Sequence, residues 1–437
     1  MVPTMKNATT SAAPYVDSYY SRSVKAPPSR PVLDADAECD ICVIGGGMAG
    51  LATALGLAER GRDVVLLEAN RVGWGASGRN GGFVSGGYSL GLEEIEARVG
   101  RADASALFQL TLDALELIKD RINRYEIDAG PMRPGIMKAS WFANADGMKA
   151  NTDVMNERFD LGLEFQSREQ MRELYRTERY HEGVLNPTAF QFHSLNFTNG
   201  IADAAEAGGA RIFEGSAVTH MDLTRDLKRI DTAKGSVSAN QVVICCSGYI
   251  GHLHPKLSRA TLPVGTYVVL TEPLGERLQD AIRTPYGTSD SRIANDYYRA
   301  LPDTRLLWGG RVSSNLSPRD LEKKMIGDIL RIYPQLEGIR AEVAWPGTMG
   351  YSVHKMPQIG RLSDGVWFNQ GYGGHGMCAT TAGGEVVAKA IAESDETYKL
   401  FAPFGLDFAG GPLGPLIAQC AYWGFQLQDL WSAWRSK

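Results

Sequence analysis

Cys39-Asp40-Ile41-Cys42-Val43-Ile44-Gly45-Gly46-Gly47-Met48-Ala49-Gly50, near the start of a 437-residue chain, decides the fold. The short β-branched, apolar run over 38–44 stops at glycine, which marks a central strand of a parallel sheet. Gly45-x-Gly47-x-x-Gly50 follows at once, and Leu51, Leu55 and Ala58 continue as a small-residue helix ending near Arg60-Gly61, where glycine supplies the closing left-handed residue. Asp63-Val64-Val65-Leu66-Leu67-Glu68 then completes a strand–helix–strand unit of about 30 residues. In that setting the glycines Gly45, Gly47 and Gly50, with Met48 and Ala49, bring backbone amides and a helix N-terminus against a diphosphate. Glu68 stands where an acid takes the ribose hydroxyls and disfavours a 2′-phosphate, which argues against NADP. The competing reading is a glycine-rich structural turn.

Two more glycine clusters decide between NAD and FAD. Gly75-Ala76-Ser77-Gly78-Arg79-Asn80-Gly81-Gly82 follows the second strand; its small residues Ala76, Ser77, Asn80, Gly81 and Gly82 let backbone lie along a diphosphate or a flat ring. Gly371-Tyr372-Gly373-Gly374-His375-Gly376 repeats the glycine spacing after another strand, but the helix beyond it runs out in Glu393, Asp395 and Glu396, so no second strand carries a ribose anchor. Gly373, Gly374, His375, Gly376 and Met377 are therefore read as a helix N-terminus aimed at a flavin pyrimidine. One nucleotide fingerprint and no NAD(P)H unit leave the substrate as the electron source.

Composition excludes other classes. Glycine makes 49 of the 437 residues, in short runs without a collagen period. A net charge of −5 with thinly spread basic residues leaves no footprint for nucleic acid or anionic lipid. Six cysteines are too few for a disulfide framework, so a reducing compartment, the cytoplasm, is expected. Cys39 and Cys42 lie in one predicted strand, where residues three apart face opposite ways, against a shared disulfide or metal; no metal is expected. The arm over 1–36 lacks an apolar targeting core. Two uncharged stretches mimic membrane spans: 41–58 is the strand–turn–helix, and 408–428, broken by Pro and Gly, reads as a packed terminal helix or a peripheral or partner-docking surface.

Outward from the fingerprint, periodicity predicts helix over 90–125 and charged helical stretches over 145–180. It then predicts a helix over 199–207, a strand over 210–219, a buried strand over 241–246 ending at Ser247-Gly248, strands over 264–271 and 305–309, a helix over 317–332, a strand over 366–370 and a helix over 377–393. The fold class is α/β: a Rossmann-like FAD-binding domain over 37–95, 190–262 and 350–437, interleaved with an α+β substrate domain over 96–189 and 263–349 on a mixed, largely antiparallel sheet.

The three glycine clusters, Met356-Pro357-Gln358-Ile359-Gly360-Arg361, and collinear matches at Ser18-Tyr19-Tyr20, 124–128, Ser216-Ala217-Val218, 232–235 and Arg305-Leu306-Leu307 together resemble the FAD-dependent amine oxidoreductases of the D-amino-acid oxidase superfamily. The resemblance spans nearly the whole chain. It implies that Val218 meets the adenine side through backbone, that 75–82 lies along diphosphate and flavin, and that 373–377 meets the pyrimidine. Ala69 and Arg71 beside Glu68, and Ser247 and Gly248, complete the expected contacts to a noncovalent FAD. Two departures are Phe190-Gln191-Phe192-His193-Ser194, where the family has His-x-His-Pro, and Phe83.

The implied chemistry is hydride transfer from the carbon beside a primary or secondary amine, of the γ-glutamylputrescine kind or another small amine or amino acid, with oxygen reduced to peroxide, as in polyamine catabolism. Such chemistry needs a neutral nitrogen and an aimed C–H bond more than a dedicated base. His375, Tyr267, Trp345 and Arg311 are the pocket candidates, Arg311 as a carboxylate clamp, with Tyr297, Tyr298 and Tyr351 as further walls; for each aromatic, core packing is the bland reading. Kept open are an amino-acid or N-methyl-amino-acid oxidase, a dehydrogenase feeding a quinone or carrier, and a flavin-binding scaffold without turnover.

Overall fold

Alternating apolar residues place Ala37–Ile44 inside a sheet with both faces covered: Ile41 and Val43 meet helices, while Cys42 and Ile44 join a second apolar cluster. The computed structural model describes residues 12–24, 29–130, 132–313 and 319–435. In its first sheet Ala37–Ile44 pairs in parallel with Val64–Leu67 on one side and Ser236–Ile244 on the other. Arg211–Phe213 and Val366–Gln370 extend the two flanks in parallel, and Gln358–Ser363 adds an antiparallel edge. The helices Met48–Ala58, Arg101–Arg124, Ser194–Ala207 and Met377–Glu393 pack together on the Ile41 side.

The second sheet runs in the order Ala341–Tyr351, Leu262–Thr271, Leu306–Ser313, Tyr297–Ala300, Gly287–Asp290, Arg133–Ala139, Gly183–Gln191, Phe83–Val84, with Glu164–Gln166 beside Gly183–Gln191. Its pairs are antiparallel except Gly287–Asp290 with Arg133–Ala139. This is the α/β architecture with a mixed, largely antiparallel second sheet that the sequence implies. Phe83–Val84, from the segment following the flavin loop, forms its far edge.

Several expected elements differ, each for a local reason. The 90–125 helix is two, Leu92–Val99 and Arg101–Arg124, because Gly100 turns at φ +83°. The 145–180 stretch holds the helices Ala145–Phe159 and Arg168–Leu174 around the strand Glu164–Gln166; Asp160 and Gly162, both left-handed, end the first helix. The 210–219 strand shrinks to Arg211–Phe213, since the buried Glu214 turns away to accept from Val72 N at 2.8 Å. Ser194–Ala207 starts five residues earlier than expected, capped by His193 Nδ1 accepting from Asn196 N at 3.1 Å. The 317–332 helix is Leu321–Ile332, with 314–318 outside the described residues. The terminal helix is Gly414–Arg435.

Cys39 and Cys42 are buried in the same cluster, not on opposite faces. The amides of Asp40 and Ile41 both donate to Asp63 O, at 3.1 and 3.0 Å, so successive residues here do not face strictly opposite ways. All six cysteines are free.

Candidate cofactor site

The fingerprint turn is held open by the absence of side chains. Gly45 adopts φ +110°, and a Cβ there would stand 2.9 Å from Cys245 O; a Cβ on Gly46 would stand 2.9 Å from Glu68 Cβ, and one on Gly50 only 1.9 Å from Gly45 O. Helix Met48–Ala58 begins at Gly47, which has no side chain to cap it. Ser77, from the second glycine cluster, reaches across and accepts from Met48 N at 2.9 Å. The helix N-terminus and the 75–82 loop therefore form one continuous wall of backbone.

Glu68 closes the far end. Its Oε2 accepts from Gly46 N at 2.6 Å and its Oε1 from Asn70 N at 2.8 Å. Burial pushes its carboxyl up to about 7 despite these two amides. Ser216 N donates to Glu68 O at 2.8 Å, bringing Val218, two residues on, to this same end. Arg71, after Ala69 and Asn70, lies with its guanidinium 5.0 Å from the Tyr15 ring centre and 3.7 Å from Glu214.

The other two glycine clusters meet. Asn80 Oδ1 accepts from Gly82 N at 2.8 Å, while its Nδ2 donates to Ser77 O at 2.9 Å and lies 3.7 Å from Met377 Sδ. His375 Nε2 lies 3.0 Å from Gly86 O and 3.2 Å from Ser85 O, and Ser89 Oγ accepts from His375 N at 3.2 Å. Burial lowers the His375 pKa, so the ring is a neutral donor tying the turn to 85–89. Gly373 N donates to Gly350 O at 2.8 Å, and Gly371 N to Ser247 Oγ at 3.4 Å, with Gly248 close against Gly350. The residues of all three clusters thus come together beyond the ends of Ala37–Ile44 and Val366–Gln370. Cβ atoms at Gly45, Gly46 and Gly50 would stand within 3 Å of neighbouring atoms, and this tight glycine turn with the buried carboxyl of Glu68 on its amide fits FAD.

Of the aromatic candidates, two reach these clusters. Tyr351 packs on Gly373 and Gly374, and Tyr297 on Gly81 and edge-on to Phe83. Three are core. Trp345 is fully buried, its indole N–H donating to Arg79 O at 2.9 Å. Tyr298 stacks on Trp308 at 4.3 Å and bonds Tyr333. Tyr267 is 2% exposed, with its hydroxyl against Ser313. Arg311 is no free clamp: its Nη2 donates to Asp328 Oδ1 at 2.8 Å, and its Nε to Oδ2, so the guanidinium is spoken for by a buried carboxylate.

Sequence reading missed a layer beneath the 75–82 loop. Arg299, 5% exposed, lies directly under Gly82 and donates to Tyr20 OH at 3.0 Å; the fully buried Tyr20 packs edge-on to His193 and Trp345. The departing segment 190–194 serves here: Phe190 and Phe192 enter the helical core, and His193 Nε2 meets Ser23 Oγ at 3.0 Å. Only the Tyr19-Tyr20 pair in an otherwise polar arm hinted at it. A cavity of about 300 Å³ is lined by Leu90, Glu94, Arg98, Val353, His354 and Lys355.

Fold and site together define a flavoprotein. A family model described as FAD-dependent oxidoreductase (DAO) matches residues 40–390. The chain is 36% identical over 395 residues to γ-glutamylputrescine oxidoreductase of Escherichia coli, covering 89% of this chain and 92% of that one. It is 32% identical to a probable oxidoreductase, OrdL, of Haemophilus influenzae, covering 89% and 90%. Among solved structures, L-proline dehydrogenase from P. horikoshii shares the fold with a TM-score of 0.70 at 20% identity, covering 84% of this chain and 96% of that one. Glycine oxidase from Bacillus cereus shares it at 0.67 and 21%, covering 83% and 97%. The chain belongs to the DAO family of FAD-dependent oxidoreductases, and FAD is its cofactor.

Proposed function

We propose that this enzyme oxidises the C–N bond of a primary or secondary amine of the γ-glutamylputrescine class to an imine, which water converts to an aldehyde, with dioxygen as final acceptor and hydrogen peroxide as product. The observation carrying this reading is the direct contact between the 371–377 turn and the 75–89 segment, through His375 to Gly86 and Asn80 to Met377. It supports a helix N-terminus facing a flat ring held along 75–89. Bound FAD supplies the two-electron acceptor.

The chain's own residues bind and orient. In this reading Gly45, Gly47, Met48, Ala49 and Gly50 hold the diphosphate, with Ser77 and Ala76 completing the wall, and Glu68, Ala69 and Arg71 mark the ribose end. Val218 would hold the adenine side, and Asn80, Gly81, Gly82, Ser247 and Gly248, with Gly373, Gly374, Gly376 and Met377, would hold the flavin ring. His375 positions that turn as a neutral donor. Tyr297 and Tyr351 shape the substrate side. The cavity at Arg98 and Lys355 offers cations to the carboxylate that a γ-glutamyl amine carries. The relative from E. coli supports the substrate class, and six free cysteines support a cytoplasmic setting.

Anaerobic mixing of the yellow holoenzyme with γ-glutamylputrescine, putrescine, sarcosine and proline tests this. Bleaching by γ-glutamylputrescine ahead of the other three, then one peroxide per turnover on admitting air, is expected. Absence of bleaching by every amine overturns the reading, and bleaching without peroxide moves the electrons to a carrier.

A further inference from the structure

Of the four arginines between 290 and 311, three meet a carboxylate. Arg292 pairs with Asp290 and Asp296, Arg305 with Asp303 and Glu342, and Arg311 with Asp328. Arg299, on the strand Tyr297–Ala300, is 5% exposed and forms no ion pair among the described residues. Its Nη2 donates to the phenol of Tyr20 at 3.0 Å, and its buried Nε finds no acceptor. Around it the charge is not balanced either: Tyr20 packs edge-on to Trp345 and to His193, whose ring is neutral, its pKa lowered to about 4 by burial and by Arg299 itself. An arginine guanidinium keeps its charge in a protein interior, so a full positive charge stands here without a counter-charge.

Burying a lone charge is strongly unfavourable, and its retention points to a negative charge that arrives with a ligand. Three such charges are at hand: the diphosphate, a substrate carboxylate, and the charge that the flavin ring gains on reduction. The position favours the third. Arg299 Nη2 stands 2.9 Å from where a Cβ on Gly82 would be, at the opposite end of the 75–82 loop from Ser77, whose hydroxyl meets Met48 N on the diphosphate wall. Asn80, which accepts from Gly82 N at 2.8 Å, reaches Met377 on the turn read as holding the ring. A substrate carboxylate needs an open approach, which a 5% exposed guanidinium does not offer. The loop's own Arg79 also lacks a carboxylate, but its donors go to Trp74 O and Pro346 O, and its guanidinium lies 4.9 Å from the Trp74 ring centre.

We propose that Arg299 is the fixed counter-charge for the flavin in its reduced form, raising the cofactor's two-electron potential through space from beneath the 75–82 loop. In the amine oxidation proposed above, the substrate C–H bond breaks as hydride and the nitrogen lone pair forms the C=N bond, leaving an iminium cation. Two electrons and one proton pass to the cofactor, which becomes one unit more negative. A cation already in place in a poorly solvated site favours that state without reorganising. The role rests on 75–82 flanking the ring, and not on which amine is oxidised.

The readout is the flavin potential of the holoenzyme, titrated with dithionite against reference dyes. Arg299→Met should make two-electron reduction about tenfold less favourable, about 30 mV lower, while Arg299→Lys, which keeps the charge, stays within about threefold of wild type. An unchanged potential in Arg299→Met overturns the proposal; a raised FAD dissociation constant would then assign the cation to the diphosphate, and a raised KM for γ-glutamylputrescine alone to the substrate carboxylate. Equal losses in the Met and Lys variants overturn it too, since charge is then not what acts. Asn80→Ala, titrated in parallel, tests the placement of the loop. If Asn80→Ala shifts the potential and Arg299→Met does not, only the counter-charge role falls; if neither does, 75–82 does not flank the ring and both fall. Should Arg299→Met fail to fold, the wild type decides by its pH slope below neutrality. A slope of about 30 mV per pH unit supports the role, because one proton then enters with two electrons and the reduced ring stays negative, whereas about 59 mV leaves a neutral ring and overturns it.

Discussion

Gly50→Ala probes the cradle at its tightest point. The added methyl would stand 1.9 Å from Gly45 O and 3.3 Å from Val43 Cγ1. Ordinary carbon–oxygen contact begins at about 3.3 Å, so the helix start must withdraw from the strand by about 1.4 Å. The gap opens where the amides of the first helical turn face the diphosphate. Losing one charge-assisted hydrogen bond there costs about 1.5–3 kcal/mol, which raises the FAD dissociation constant roughly 10- to 150-fold. Strain in the cofactor-free protein adds about 1–3 kcal/mol of destabilisation. Titrating apoprotein with FAD and following flavin fluorescence measures the first quantity, and urea denaturation the second. Gly327→Ala is the control: its Cβ meets nothing within 4 Å, and in the helix Leu321–Ile332 it should stabilise by about 1 kcal/mol while leaving FAD affinity alone. A Gly50→Ala protein that purifies yellow with wild-type affinity would refute the assignment of this turn to the diphosphate.

Arg311→Gln should destabilise the fold by about 3 kcal/mol, because Asp328 is left buried and partly unpaired, while KM for the amine stays within about twofold; a large rise in KM would restore the clamp role. His193, with its pKa lowered to about 4 by burial and by Arg299, is neutral in the fold. The unfolded chain binds the extra proton between pH 6.5 and 4, so stability is complete above 6.5 and falls by about 3 kcal/mol on descending to 4. Urea midpoints at pH 7 and 5 should converge in His193→Gln, and an unchanged pH slope would contradict this. His375→Ala removes the tie between the turn and Gly86; kcat should drop at least tenfold with FAD retained, whereas wild-type kcat would remove His375 from the positioning machinery. Arg98→Gln should raise KM for γ-glutamylputrescine severalfold and leave putrescine untouched; an equal effect on both would rule out carboxylate recognition in the cavity.

Legibility followed sequence distance. The fingerprint, Val366–Gln370 and Met377–Glu393 were readable almost to the residue, because glycine, strand and helix signals sit within a few positions of one another. The convergence of 75–82 with 371–377 was inferable from shared chemistry, since both clusters suit one flat ligand. Arg311 was misread because the residue that engages it, Asp328, lies seventeen positions on, in a separate helix. Trp345 looked like a pocket wall because an indole is apolar and polar at once; its N–H goes to a loop carbonyl that no local pattern connects to it. The break at Gly100 and the strand at Glu164–Gln166 were hidden because surrounding helical periodicity outweighs one glycine or three residues.

The parallel pairing of Ala37–Ile44 with Ser236–Ile244, and of that strand with Val366–Gln370, has a consequence for biosynthesis. A ribosome delivering about 5–20 residues per second needs about 15–60 s between the strand carrying Val43 and the one carrying Phe368. Through that interval the nascent nucleotide-gripping half exposes an unpaired strand edge. The order in which this sheet is threaded thus leaves the far edge of Ser236–Ile244 open until Val366–Gln370 arrives.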